Sequence, residues 1–260
     1  MNLFIEGLQG SGKSTLVKKI SEANRAYSPV MEGDYSPVEL SWCAWVDEET
    51  YRAILRRYDS IRSQIEQKTV AEGDKRIVCY TKIRTDAPGF YQDLEQYEIY
   101  NGRRTFEEFR SIVLTRYKNW HDDRKIYECS LLQNIVEDMI LFRQASDEEI
   151  LGFYKEVREA LNGREFRVVY LETEDIRSSI DAVRRERVDG QGSERWFSMV
   201  CEYFNASPYA REHDLRDFEG FVTHLTHRQA LELRICREIF PEQAIFLKSK
   251  GDMAGINQFL

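Results

Sequence analysis

The sequence predicts an α/β protein, a three-layer α/β/α fold built on a mainly parallel sheet with a helical insertion. Short apolar runs alternate with helix-period segments through most of the chain, and parallel strands need crossover connections of that kind. One interval, from the second run to Lys125, is too long for a single crossover and so predicts the inserted substructure beside the sheet. At 260 residues the chain suffices for one large α/β domain or two small ones, and for a real core.

Taken in order, residues 2–6 form an apolar run cut off by Gly7, the pattern of a buried strand entering a turn. A helix follows over 14–25, with Leu16, Ile20 and Ala23 on one face. Residues 28–32 read as a second strand ended by Gly33. The charged segment 47–68 carries Tyr51, Leu55, Tyr58, Ile61 and Ile65 at helical spacing. A strand over 76–83 and a Pro88-Gly89 turn lead into an aromatic stretch ending at Tyr100. Phe106, Phe109, Val113, Tyr117 and Trp120 then repeat on one helical face. Strand and helix alternate again at 125–128 and 131–142, then at 167–171 and 174–187. A last strand at 244–247 precedes a C-terminal helix. The expected organisation is one domain over 1–260, with a substrate-side insertion at about 35–122 and a lid at about 184–195.

Lys plus Arg total 37 against 45 Asp plus Glu, a formal net charge of −8. That balance argues against a binder of nucleic acid polymers. No apolar run approaches the roughly 18 residues that span a bilayer, so no membrane partner is expected. Met1-Asn2-Leu3-Phe4 has no charged region before an apolar stretch, which predicts a cytoplasmic protein. The cysteines Cys43, Cys79, Cys129, Cys201 and Cys236 are odd in number and form no C-x-x-C pair, so reduced, buried thiols are expected. His224 and His227, at i, i+3 on a helix, have the spacing to clasp a metal but no evident third ligand.

Gly7-Leu8-Gln9-Gly10-Ser11-Gly12-Lys13-Ser14-Thr15 matches G-x-x-x-x-G-K-[ST] in full, directly after a strand and directly before a helix. In such a loop consecutive backbone N–H groups curl around a polyphosphate, and the helix N-terminus adds its positive end. Lys13 is then positioned for the β- and γ-phosphates, and Ser14 for Mg²⁺. The chain thus resembles P-loop nucleoside triphosphate-binding proteins, with Gly7, Gln9, Gly10, Ser11, Gly12, Lys13, Ser14 and Thr15 as the expected nucleotide site.

Glu32-Gly33-Asp34 follows the second strand, and ligands of open α/β sheets bind where strands end. A carboxylate there, Glu32 or Asp34, is suited to orient or deprotonate an acceptor hydroxyl. The stretch from Glu32 to Pro37, followed by Trp42, resembles the glutamate-proline-tryptophan region of deoxynucleoside kinases, with different spacing and order. Glu128-Cys129-Ser130 resembles the acidic-Arg-Ser motif of those kinases and the Asp-Arg motif of thymidylate kinases, with cysteine in place of arginine. The resemblance implies that Glu128 supports Mg²⁺; the alternative is a carboxylate capping the next helix. Arg184-Arg185-Glu186-Arg187, running into Val188-Asp189-Gly190-Gln191-Gly192, resembles the arginine-rich lid of nucleoside and nucleotide kinases. Arg184, Arg185 and Arg187 are placed by that likeness on the transferring phosphoryl group; otherwise they cap a helix end in solvent. Lys248-Ser249-Lys250-Gly251-Asp252 stands where such kinases hold adenine by backbone contacts.

The resemblance implies ATP-dependent, Mg²⁺-assisted phosphoryl transfer to a nucleoside, nucleotide or similar small acceptor. Two readings stay beside it: a nucleotide-dependent binding or regulatory protein, and an antibiotic-modifying phosphotransferase. N-K-x-D, the guanine-reading element of switch GTPases, is absent from the sequence. Phe90, Tyr91, Tyr97 and Tyr100, with Arg103 and Arg104, can stack on a planar substrate or serve as core; the core reading is preferred. Trp42 and Trp45 carry the same choice.

Overall fold

The computed structural model describes residues 1–188, 190 and 192–251. In chain order the elements are β1 (Asn2–Gly7), α1 (Lys13–Ala23), β2 (Ser28–Val30), β3 (Ala44–Asp47), α2 (Glu48–Arg57), α3 (Arg62–Gln67), β4 (Thr69–Glu72), β5 (Lys75–Val78), α4 (Phe90–Glu95) and α5 (Phe106–Asn119). They continue with β6 (Lys125–Glu128), α6 (Gln133–Leu141), α7 (Asp147–Ala160), β7 (Phe166–Glu172), α8 (Ile176–Glu186), α9 (Arg195–Ala206), α10 (Pro208–Glu212), α11 (Asp217–Glu238) and β8 (Ala244–Lys248). The expected C-terminal helix falls mostly on 252–260, outside the described residues.

The chain divides into two compact units, one formed by Met1–Pro29 with His121–Leu260 and the other by Val30–Trp120. The first holds a five-stranded sheet of order β2-β6-β1-β7-β8. β1 pairs in parallel with β6 and with β7, and β7 with β8. Helices flank this mainly parallel sheet, giving the expected three-layer α/β/α fold. Every residue of β1 is buried, as a central strand covered on both faces requires. α1 buries Leu16, Val17 and Ile20. Ala23, expected on that face, is exposed, because the helix ends there and its stripe runs through Val17 instead.

The second unit is the expected insertion, with α2 to α5 as its helices. It carries its own antiparallel sheet of order β3-β5-β4. Of the predicted 76–83 strand only the first part is strand, β5, which ends at Val78 before a 3-10 turn over Tyr80–Lys82; its partner β4 is reached through Gly73, at φ 59, and Asp74. The predicted 47–68 helix is interrupted at Tyr58 by a 3-10 turn, so α2 and α3 are separate. Its apolar spacing nevertheless marks the core: Tyr51, Leu55, Tyr58 and Ile65 are buried with Phe90 and Leu94, and Ile61 packs against them. Asp47 caps α2 by accepting from the Thr50 N–H at 2.8 Å, and Thr105 with Glu108 forms a capping box on α5.

Candidate active site

The loop between β1 and α1 has the geometry its glycines allow. Gly7 sits at φ 136, and a Cβ there would lie 2.6 Å from the Leu171 carbonyl oxygen of β7. Gly10, at φ 77, leaves room for Val183 of α8, whose Cγ2 would be 2.0 Å from an added Cβ. Both positions therefore exclude side chains on conformation and on space. Gly12, at φ 99, is the N-cap of α1. Lys13 is buried, and its ammonium donates to the Gly7 and Leu8 carbonyls at 2.8 Å each, lying across the loop. The backbone of Ser11 is tied from outside, since Ser249 Oγ donates to its carbonyl at 3.0 Å. That contact brings the segment after β8 against the loop; Asp252, expected in the same segment, lies outside the described residues. Thr15 is exposed on the first turn of α1.

Parallel pairing sets Ile5 opposite Glu128, so the end of β6 stands beside the start of the loop. There Ser14 Oγ donates to Glu128 Oε1 at 2.5 Å. The structure thus joins the two residues that the sequence assigned to Mg²⁺. A hydroxyl and a carboxylate are hard oxygen donors, and the pair fits a small divalent cation that keeps its remaining waters. Glu6 of β1 meets the start of the following helix, accepting from the N–H groups of Leu131 at 2.7 Å and Gln133 at 3.1 Å. Burial outweighs those bonds, and with Glu232 nearby it pushes the Glu6 carboxyl up to about 7. Cys129 is buried and in the left-handed region, at φ 59.

Beneath the loop lies a charged cluster that the sequence reading missed. Arg228 of α11 is fully buried and donates to Glu137, and to Gln9 Oε1 in the loop at 2.9 Å. Its Nε lies 3.3 Å from Glu232, which in turn accepts from Tyr170 OH at 2.6 Å. Burial alone would raise the Glu137 carboxyl, but Arg228 and His224 outweigh it and hold it at about 2. For Glu232 burial dominates and the carboxyl is raised. The signal was available: Phe221, Leu225, Arg228, Glu232 and Ile235 fall on one stripe of α11, so the charges share its apolar face.

The two histidines of α11 meet different carboxylates. His224 meets Glu137 at 3.1 Å and His227 meets Asp147 at 2.8 Å, on two different helices. Among the described residues no group of three or more His, Cys, Asp or Glu is arranged to hold a metal ion.

The arginines expected in the lid are all engaged. Arg184 binds Glu194 at 2.5 Å and lies over the Phe197 ring, while Arg185 pairs with Asp181 one turn back. Arg187 stacks on Trp196 at 4.5 Å. Their helix nonetheless reaches the loop, since Val183, which fills the space at Gly10, directly precedes Arg184. Asp189 and Gln191 lie outside the described residues.

In the other unit, Glu32 follows β2 and accepts from the Trp42 indole N–H at 3.0 Å. Asp34 is a turn residue: its carboxylate accepts from the Met31 N–H at 3.1 Å and pairs with Lys82 at 3.3 Å. Phe90 and Tyr100 are core, and Tyr91, though exposed, donates to the Ile83 carbonyl. Tyr97 packs against that unit's core. Arg103 pairs with Glu95, and Arg104 lies over Trp45 and donates to its carbonyl. The four aromatics thus include two buried structural residues, as the preferred reading had them.

No protein-family model matches the chain, and no curated protein matches it in sequence. Among solved structures it is similar to a deoxyadenosine kinase from M. mycoides with bound dATP, at 15% identity and a TM-score of 0.39, covering 100% of this chain and 96% of that one. In the described residues no helix is long and apolar enough to cross a membrane.

Proposed function

We propose that the protein is an ATP-dependent, Mg²⁺-assisted phosphotransferase acting on a nucleoside, nucleotide or similar hydroxylated acceptor. The observation that carries the reading is the pairing of Ser14 with Glu128, beside a loop whose Gly7 and Gly10 admit no side chain. Lys13, already lying along the loop carbonyls, is the proposed partner of the β- and γ-phosphates. Ser14 and Glu128 would hold Mg²⁺, which when bound would neutralise charge on the phosphate oxygens. Arg228 fixes the Gln9 side chain from below, so the loop meets a polyphosphate with one of its side chains already placed.

Glu32 is the proposed base in preference to Asp34, because Asp34 is committed to its own turn and to Lys82. The Trp42 indole orients the Glu32 carboxylate. Arg184, Arg185 and Arg187 are the proposed stabilisers of the transferring phosphoryl group, and each must leave an acidic or aromatic partner to act there.

The test is ADP release from Mg²⁺-ATP against a panel of nucleosides, nucleoside monophosphates and hydroxylated antibiotics, with Lys13→Ala in parallel. Release stimulated by one acceptor class and lost in the variant is expected. If ATP binds but no acceptor raises the basal rate, the reading fails in favour of a nucleotide-dependent binding protein.

A further inference from the structure

Antiparallel pairing in the second unit brings together two cysteines that are 36 residues apart in sequence. In the β3–β5 ladder Ala44 stands opposite Val78 and Trp45 opposite Ile77, so one more step sets Cys43 opposite Cys79. The Trp45 N–H donates to the Tyr97 carbonyl and the Cys79 N–H to the Lys68 carbonyl, both away from that ladder. Cys43 and Cys79 are therefore a non-hydrogen-bonded cross-strand pair, the kind whose side chains approach most closely. Their sulfurs are 3.7 Å apart, and both residues are buried. Cα atoms of such pairs lie about 4.5 Å apart, inside the span of a disulfide.

The two thiols are unequal. The S–H of Cys43 is donated to Cys79, and with Lys68 and Lys82 near it this holds the Cys79 thiol below its ordinary value. The same bond, together with burial, pushes the Cys43 thiol well up. Cys79 is accordingly the better nucleophile of the two.

We propose that Cys43 and Cys79 are a reversible redox pair, closed to a disulfide by a hydroperoxide and reopened by thiols. The Cys79 thiolate attacks the peroxide oxygen: an S–O bond forms, the O–O bond breaks, and the leaving oxygen takes a proton to depart as an alcohol or water. The Cys43 sulfur then attacks the Cys79 sulfenic acid; the S–S bond forms, the S–O bond breaks, and hydroxide leaves with the Cys43 proton as a second molecule of water. Two thiols are oxidised by two electrons and one peroxide is reduced. The bridge sits under the turn that carries Glu32. Cys43 Sγ lies 3.7 Å from the Gly33 carbonyl oxygen, Trp42 binds Glu32, and Thr81 Oγ1 donates to the Trp42 carbonyl at 3.2 Å. Closing the S–S bond therefore acts directly on the residues that hold that turn.

The experiment is peptide mapping of the wild-type protein after stoichiometric hydrogen peroxide, alkylation and non-reducing digestion. The expected result is a peptide pair joined through Cys43 and Cys79, an intact mass lower by two hydrogens, and full reversal by dithiothreitol. Alkylation of both residues after peroxide, or a bridge joining either one to a different cysteine instead, overturns the proposal. In Cys43→Ser, dimedone labelling at Cys79 is expected, and its absence overturns the assigned order of attack. None of these readouts depends on phosphoryl transfer, so the pair stands or falls apart from the kinase reading.

Discussion

Replacing Arg228 with methionine removes a fully buried guanidinium and leaves the Glu137 and Glu232 carboxyls facing each other below the loop. Breaking a buried pair by deleting one partner costs about 3–5 kcal/mol. The structure gives a second route to the same size: holding Glu137 at about 2 rather than at its ordinary 4.5 corresponds to about 3 kcal/mol of stabilisation. Because that carboxyl is depressed, its contribution is present above about pH 4.5 and is lost as pH falls towards 2. For a chain of this length each kcal/mol moves Tm by roughly 2–4 °C, so Arg228→Met should melt about 10 °C lower at pH 7. The deficit should shrink as pH falls from about 4.5 towards 2, where Glu137 protonates in the wild type as well. Thermal unfolding followed by circular dichroism across that range is the assay. A deficit under about 2 °C at pH 7, or one that stays constant with pH, would refute the reasoning, since isolated surface charges contribute at most about 1 kcal/mol.

The other expectations are more local. Gly10→Ala places a methyl on Val183 at a left-handed position; such strain and overpacking cost about 1–3 kcal/mol each, so calorimetry should show both a lower Tm and lost nucleotide affinity. Glu128→Gln should remove most of the Mg²⁺ dependence of ATP binding while leaving metal-free binding in place, as read by titration with and without EDTA. Glu32→Gln should lower kcat about 100-fold or more with nucleotide affinity unchanged, whereas Asp34→Asn should cost far less. Glu6, raised to about 7, favours the folded state in its protonated form, so stability falls as pH rises from about 4.5 to 7; Glu6→Gln should flatten that part of the profile.

What could be read from the sequence was local. The loop from Gly7 to Thr15 is contiguous, its flanking strand and helix are short-range patterns, and the Lys125–Glu128 strand ends where its apolar run ends. Glu128 was set beside Ser14 through the likeness of Glu128-Cys129-Ser130 to a kinase motif, and the parallel register of β1 and β6 is what brings the two together. The antiparallel sheet of the insertion was hidden because β4, only four residues interleaved with charge, directly follows the segment read as one helix, so the β5 strand that was read had no visible partner. The hydrophobic pattern of β4 is too short to separate a strand from the tail of a helix. Without that register, Cys43 and Cys79 read as two unrelated thiols. Arg228 and Glu232 resemble a solvated i, i+4 pair until their place on the Phe221–Ile235 stripe is weighed. Glu6 stands out only as the single charge in a strand that is otherwise uncharged. Helix α7 went unread although Ser146 and Glu149 form a capping box at its start, a signal present in the sequence.

The most direct test of the central claim is the fate of the γ-phosphate. With Mg²⁺-ATP and the acceptor that stimulates turnover, mass spectrometry should find the acceptor heavier by one phosphoryl group in step with ADP formed, and no product with Lys13→Ala. ADP accompanied only by inorganic phosphate, with every acceptor unmodified, would contradict the claim.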